Sequence, residues 1–410
     1  MQFSQVIGQA ELKEQLIHMV QHNRLSHALL FLGKEGSGTL SLARAMAQYT
    51  VCEAVNGKAS AAPKAETAPS LFGEPEPEIV NEKRAASQRE ILNDSCGVCP
   101  SCLKAAKLIH PDIHFSFPVI PKKSGDKPVS TDYIVEWRQF MEKHPYGNSY
   151  DWLQFIDAEN KQGNITAHEC NEIIRMMSLK SFEAEYKILI MWMPEMLGKE
   201  GNKLLKLIEE PPPNTLFIFV AENDDLILPT ILSRTQLIKV PQLHNDDIAE
   251  ALQQEAVPAA KAAQIAAISN GNYREALQQL SHADDDWEVQ LRDWLNAIAK
   301  TGPAAQVKWI EDISKTGREK QKQFLQYFIH LLEHALRLRM LNSSETGSKN
   351  DDFALRLNKL CSIEQQEAIS QELDKATYYI ERNANAKMLF HALTIRLYHI
   401  ISNNSIILVN

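Results

Sequence analysis

Three groups of residues in this chain have the types and spacing that chemistry requires. The first is the glycine loop Gly33-Lys34-Glu35-Gly36-Ser37-Gly38-Thr39-Leu40. Its two outer glycines keep the spacing of a phosphate cradle, in which backbone N–H groups hold phosphate, a lysine follows the last glycine, and a hydroxyl then holds Mg²⁺. Here Thr39 stands in the lysine position and Leu40 in the hydroxyl position. A nucleoside triphosphatase of this type also needs acids at the end of a later strand, to hold Mg²⁺ and orient water. The matching apolar run, Lys187-Ile188-Leu189-Ile190-Met191, ends in Trp192-Met193-Pro194-Glu195. An indole binds no metal, so two separate parts of one apparatus are missing. ATP hydrolysis and ATP binding are therefore not expected. Three readings of the loop stay open: an ordinary glycine turn, a loop that binds ATP through Gly36 and Gly38 without turning it over, and a non-standard ATPase that uses Lys34 and Glu195.

The second group is Cys96-x2-Cys99-x2-Cys102. Three thiolates this close suit tetrahedral zinc, which takes four ligands. A ferredoxin-type cluster would need a further cysteine before a proline, and Leu103-Lys104-Ala105-Ala106 supplies none. Unligated thiols are the third possibility. Cys170 and Cys361 lie in helical patterns and read as small core residues. The third group is Ser233-Arg234. An arginine fork suits phosphate oxygens, but a lone surface arginine is more often half of a solvated ion pair.

The elements that must position these residues alternate. Residues 10–22 carry apolar positions at helical spacing, His27–Leu32 is a short apolar strand, and Thr39–Thr50 resumes helical spacing. Further strands are expected at Ile113–Val119, Tyr186–Trp192 and Thr215–Val220. Helices are expected at Ile165–Met177, opened by a Thr166/Glu169 capping box, and at Asn202–Ile208, stopped by Pro211-Pro212-Pro213. Strands alternating with helices predict a parallel, doubly wound sheet. After about residue 243 only helical patterns remain, with a break at Gly271. Residues 53–95 are rich in Ala, Pro, Glu and Lys and read as a flexible insertion.

Composition sets limits on the whole. The 410 residues are 44% hydrophobic, 7% aromatic and carry a net charge of −9. That content supports real cores and excludes wholesale disorder. The acidic balance argues against a free-standing nucleic-acid binder, whose footprint is usually basic. The first residues lack a basic stretch followed by an apolar core, so no signal peptide is expected, and a cytoplasmic location follows as an expectation.

Taken in order, the motifs resemble the bacterial clamp-loader AAA+ subunits. They are Val6-Ile7-Gly8-Gln9, the altered loop, Cys52, the three-cysteine run, His110-Pro111-Asp112, Asn202–Pro212, Leu228–Thr235 and Gly271–Leu277. The resemblance covers most of residues 1–280 and, more weakly, the last helices. It implies an α/β AAA+ domain with a RecA-like parallel sheet at 1–242, including a zinc module and the insertion. A small helical lid at 243–283 and an all-helical collar at 284–410 would follow. It also implies a pentameric, ATP-driven machine that opens a ring-shaped sliding clamp and loads it on primed DNA.

Loss of the lysine and of the acidic pair points to the member that does not hydrolyse ATP, rather than to the gamma/tau motors. Its implied partners are gamma/tau and delta subunits. The resemblance adds Cys52 to Cys96, Cys99 and Cys102 as a fourth zinc ligand, with a structural role. It makes Arg234, beside Ser233, an arginine finger supplied to a neighbour's ATP. Arg274 matches a nucleotide-sensing position, but a structural ion pair is the expectation here. Two departures stand out: the insertion is longer than the family's, and Thr235 replaces the cysteine common after Ser-Arg. The alternative remains a gamma/tau-like ATPase with a non-standard site.

Overall fold

Continuous apolar runs form the sheet because both of its faces are covered. The computed structural model describes residues 1–57, 92–123, 125–158, 161–281, 287–340, 349–382 and 384–403. Most of the expected insertion, 58–91, therefore lies outside the described residues. The five strands are β1 (Ala28–Gly33), β2 (Ile113–Ser116), β3 (Lys187–Trp192), β4 (Thr215–Ala221) and β5 (Gln236–Val240). They are all parallel, in the order β2-β3-β4-β1-β5. Leu30 lies opposite Phe219 and Leu237 in this register.

Alternate residues of each strand serve opposite faces. Leu29, Phe31, Ile188, Ile190 and Trp192 pack on one side with α1 (Ala10–Gln21), α2 (Thr39–Val51), α4 (Ile134–Lys143) and α5 (Ser149–Phe155). Ala28, Leu30, Leu189, Met191, Phe217 and Phe219 pack on the other with α6 (Ala167–Met177) and α7 (Leu205–Glu209). Between β3 and α7, 3₁₀ turns over Pro194–Leu204 are interrupted at Gly198. Cys99 caps the short helix α3 (Pro100–Ala106). Helix α8 is Pro229–Leu232. Helices α9 (Asn245–Gln254), α10 (Ala259–Ile268) and α11 (Tyr273–Ser281) form a cluster of their own around Ile248, Leu252, Ile265 and Tyr273, with Tyr146 packed against it.

The parallel α/β reading holds, with four local differences. β5 went unread, because only Ile238 and Val240 of it are buried and an edge strand gives a weak pattern. β2 stops at Ser116, and beyond Pro118 only an isolated antiparallel bridge, Val119 to Asn164, continues the pairing. Helix α6 begins at Ala167 with Thr166 as its cap. The expected box is half made: Thr166 Oγ1 accepts from Glu169 N at 3.1 Å. The Glu169 carboxylate instead accepts from Ser130 N at 2.8 Å and Ser130 Oγ at 2.7 Å, pinning the 117–130 loop.

The chain divides into two compact units, Met1–Leu280 and Ser281–Asn410. The second is helical: α12 (Trp287–Asn296), a π turn at Ala297–Thr301, α13 (Pro303–Ser314), α14 (Arg318–Met340), α15 (Lys349–Leu360), α16 (Ile363–Glu381) and α17 (Ala386–Asn403). Trp294 centres its core, stacked on Trp309 at 4.7 Å, with its indole N–H donating to Thr394 at 3.0 Å. Among the described residues no helix is long and apolar enough to cross a membrane.

Candidate functional site

The glycine loop joins β1 to α2, as its spacing predicts, and both Gly36 (φ 72°) and Gly38 (φ 83°) adopt left-handed backbone. A small cleft remains at the loop, lined also by Tyr146, Trp192 and Glu222, and side chains crowd its glycines. A Cβ on Gly36 would stand 1.8 Å from Asn272 Oδ1, and one on Gly38 2.8 Å from the Tyr146 ring. Thr39, in the lysine position, folds back so that its hydroxyl lies 2.8 Å from that of Ser37. Tyr273 N donates to Gly36 O at 3.2 Å, tying the start of α11 to the loop.

An ion-pair network holds this arrangement. Arg274 on α11, with 7% of its side chain exposed, donates to both Asp151 oxygens at 2.5 and 2.6 Å and to Glu35 at 2.8 Å. Glu35 sits inside the loop and also accepts from Asn148 Nδ2 at 3.0 Å. Lys34 is exposed and lines the cleft at the loop. Tyr146 is buried, which pushes its phenol above the ordinary range, and its oxygen accepts from Ile7 N at 2.9 Å.

The place of the missing acidic pair holds Trp192 and, just beyond it, Glu195. Trp192, 3% exposed, lies in an aromatic cluster with Trp137 at 5.2 Å and Phe140 at 6.3 Å. Glu195 Oε1 accepts from Glu222 N at 2.6 Å and Asn223 N at 2.9 Å, so this acid tethers the loop after β4. Burial raises its carboxyl above the usual value.

The four cysteines meet. Cys52 ends α2, Cys96 precedes α3, Cys99 caps it and Cys102 lies within it. Their Sγ atoms all fall within 4.8 Å of one another, and Cys96 Sγ is 3.9 Å from Cys102 Sγ. Four thiolates around one zinc stand roughly 3.8 Å apart, so the donor set and its size fit that ion. Backbone N–H groups point at sulfur as well: Cys96 N to Cys52 at 3.3 Å, and Cys99 N to Cys96 and Cys102 N to Cys99, each at 3.4 Å. A hydrogen bond from Cys102 holds the Cys52 thiol well below its ordinary value. Cys170 and Cys361 are buried elsewhere.

Arg234 lies just beyond α8 with 34% of its side chain exposed. Its Nε donates to Glu209 Oε1 at 2.6 Å, its Nη2 is in ion-pair contact with the same oxygen at 2.5 Å, and its Nη1 donates to Thr230 O at 2.8 Å and Ser233 Oγ at 3.1 Å.

A family described as "DNA polymerase III, delta subunit" matches residues 8–70 and 79–244, more than half of the chain. The chain belongs to this family. The DNA polymerase III subunit gamma/tau of Mycobacterium bovis is 25% identical over 57% of this chain, but that stretch is only 27% of the mycobacterial protein. The DNA polymerase III subunit delta' of Bacillus subtilis is 24% identical over 68% of this chain and 60% of its own length. A solved DNA polymerase III gamma subunit-related protein from Thermotoga maritima aligns over 94% of this chain and 98% of its own, with 15% identity and a TM-score of 0.37.

Reading this family member from sequence missed the residues that crowd the loop. Glu35 lies 239 positions from Arg274, and Asp151 lies 123 from it. No local pattern signals such pairs. Glu209 was legible only as part of a motif, and Asp112 likewise.

Proposed function

We propose that this chain is the non-hydrolysing, delta-prime-type subunit of a DNA polymerase III clamp loader. It would support ATP-dependent loading of the sliding clamp on primed DNA. One observation carries this reading: Tyr146, Asn272 and the Glu35–Arg274 pair crowd the glycine loop and leave only a small cleft beside it. A triphosphate at this loop would meet Thr39 where the lysine belongs. The gamma/tau-like alternative would need its catalytic groups in non-standard places: Lys34 lies before the last glycine of the loop, and one oxygen of Glu195 already accepts from two backbone N–H groups.

In this proposal residues 1–242 form the AAA+ domain, 243–283 the lid and 284–410 the collar that joins gamma/tau and delta subunits. Arg234, next to Ser233, is the arginine finger for a neighbour's ATP, where its permanent charge stabilises the transferring phosphoryl group. Cys52, Cys96, Cys99 and Cys102 would hold structural zinc, and four thiolates leave no open position for catalysis. The metal would tie the ends of the insertion to α2.

The test is reconstitution with the gamma/tau and delta subunits. The lone chain is expected to turn over no ATP. Arg234→Ala should assemble normally yet lose much of the clamp-stimulated ATPase, the site it serves slowing by roughly 10³ or more. Turnover by the lone chain, or full ATPase with Arg234→Ala, overturns the proposal.

A further inference from the structure

We propose that Glu209 is a positioning residue that parks Arg234 until a neighbour's triphosphate displaces it. This rests on Arg234 being the finger and concerns how that finger is held. A guanidinium has five N–H donors in a rigid fork. In Arg234, Nε donates to Glu209 Oε1, Nη2 is in ion-pair contact with the same oxygen, and Nη1 donates to Thr230 O and Ser233 Oγ. Paired recognition of a phosphate takes two parallel N–H groups. An incoming γ-phosphate can complete that fork only by taking the edge that Glu209 now occupies.

The location of Glu209 points the same way. It is the last residue of α7 and is followed by Glu210 and Pro211. Acids at a helix C-terminus oppose the helix dipole, so this carboxylate does not serve its own helix. With 46% of its side chain exposed, it can swing away at little cost in packing. The Nη1 side is different: Thr230 O and Ser233 Oγ belong to the same short segment as Arg234, so they stay in place when Glu209 leaves. The fork is thus anchored on one edge and exchangeable on the other.

A carboxylate that competes with phosphate weakens nucleotide engagement without altering the chemical step once the fork is complete. In the reconstituted complex, Glu209→Gln should lower the KM for ATP roughly two- to fivefold at unchanged kcat, the size expected of an exposed ion pair. Glu209→Ala should act in the same direction. Neither change should have any effect in an Arg234→Ala background. In the lone full-length chain, phenylglyoxal should modify Arg234 faster in Glu209→Gln than in wild type, as read by peptide mass spectrometry.

A fall in kcat with Glu209→Gln overturns the proposal, because Glu209 would then aim the finger rather than withhold it. Unchanged KM and kcat also overturn it. If Arg234→Ala itself leaves the ATPase intact, the finger reading fails beneath it. The phenylglyoxal rate still reports the ion pair in that case, so the two failures are told apart.

Discussion

Asp112 shows what a single side chain of a sequence motif does here. It is 1% exposed, and its carboxylate accepts from Phe182 N at 2.5 Å and from Glu183 N and Ala184 N at 2.8 Å each. Burial alone would raise its pKa, but the three N–H groups outweigh burial and hold it below the usual carboxylate value. A depressed folded pKa stabilises the protein above the unfolded pKa, near 3.9, and that gain is lost as pH falls through the folded value. Asp112→Asn should therefore cost about 2 kcal/mol at neutral pH, measured by urea unfolding. The gap to wild type should narrow below about pH 4; a gap independent of pH would contradict this account. Residue types were legible throughout: Thr39 for lysine and Trp192 for an acid were plain in the sequence. Their surroundings were not, because Tyr146 reaches the glycine loop, and Trp137 reaches Trp192, only in the fold.

Among the elements, α11 is held by one buried cation. Arg274 joins it to Asp151 on α5 and to Glu35 in the glycine loop. Removing the arginine takes from two partly buried carboxylates the cation they share. Arg274→Ala should therefore destabilise residues 1–280 by about 3 kcal/mol, seen as a lower urea midpoint. Asp151→Asn together with Arg274→Met should lose less than the single change, since no carboxylate of Asp151 is then left unpaired. The expectation of a structural ion pair at Arg274 came from the missing cradle chemistry, and the pair exists. Its partners were out of reach of pattern reading. Helices and buried strands with strong periodicity were legible, whereas β5 was not, since its exposed Gln236, Leu237 and Lys239 blur the alternation.

For the molecule as a whole, the two compact units have separate apolar cores, one centred on the sheet and one around Trp294, Phe324 and Phe390. Calorimetry should resolve two transitions. If the four thiolates hold zinc, metal analysis should find one ion per chain. Stripping it with a strong chelator should lower the transition of the first unit by about 5 °C or more and leave the second unmoved. Pure protein without zinc, with all six cysteines titrating freely in the native state, would contradict this. The net charge of −9 is compatible with the proposed role, in which the chain would reach DNA through partners.

The sequence by itself determined the parallel α/β class, the loss of the cradle lysine and the strand-end acids, and the thiol count. These depend on residue type and on spacing within one or two elements, and periodicity reports both. Only the tertiary structure decided what crowds the loop, where Arg234 rests and that Cys52 reaches the other three cysteines. Each of those depends on segments far apart in the chain. Their meeting is set by how the sheet twists and the helices pack, and no local pattern encodes that.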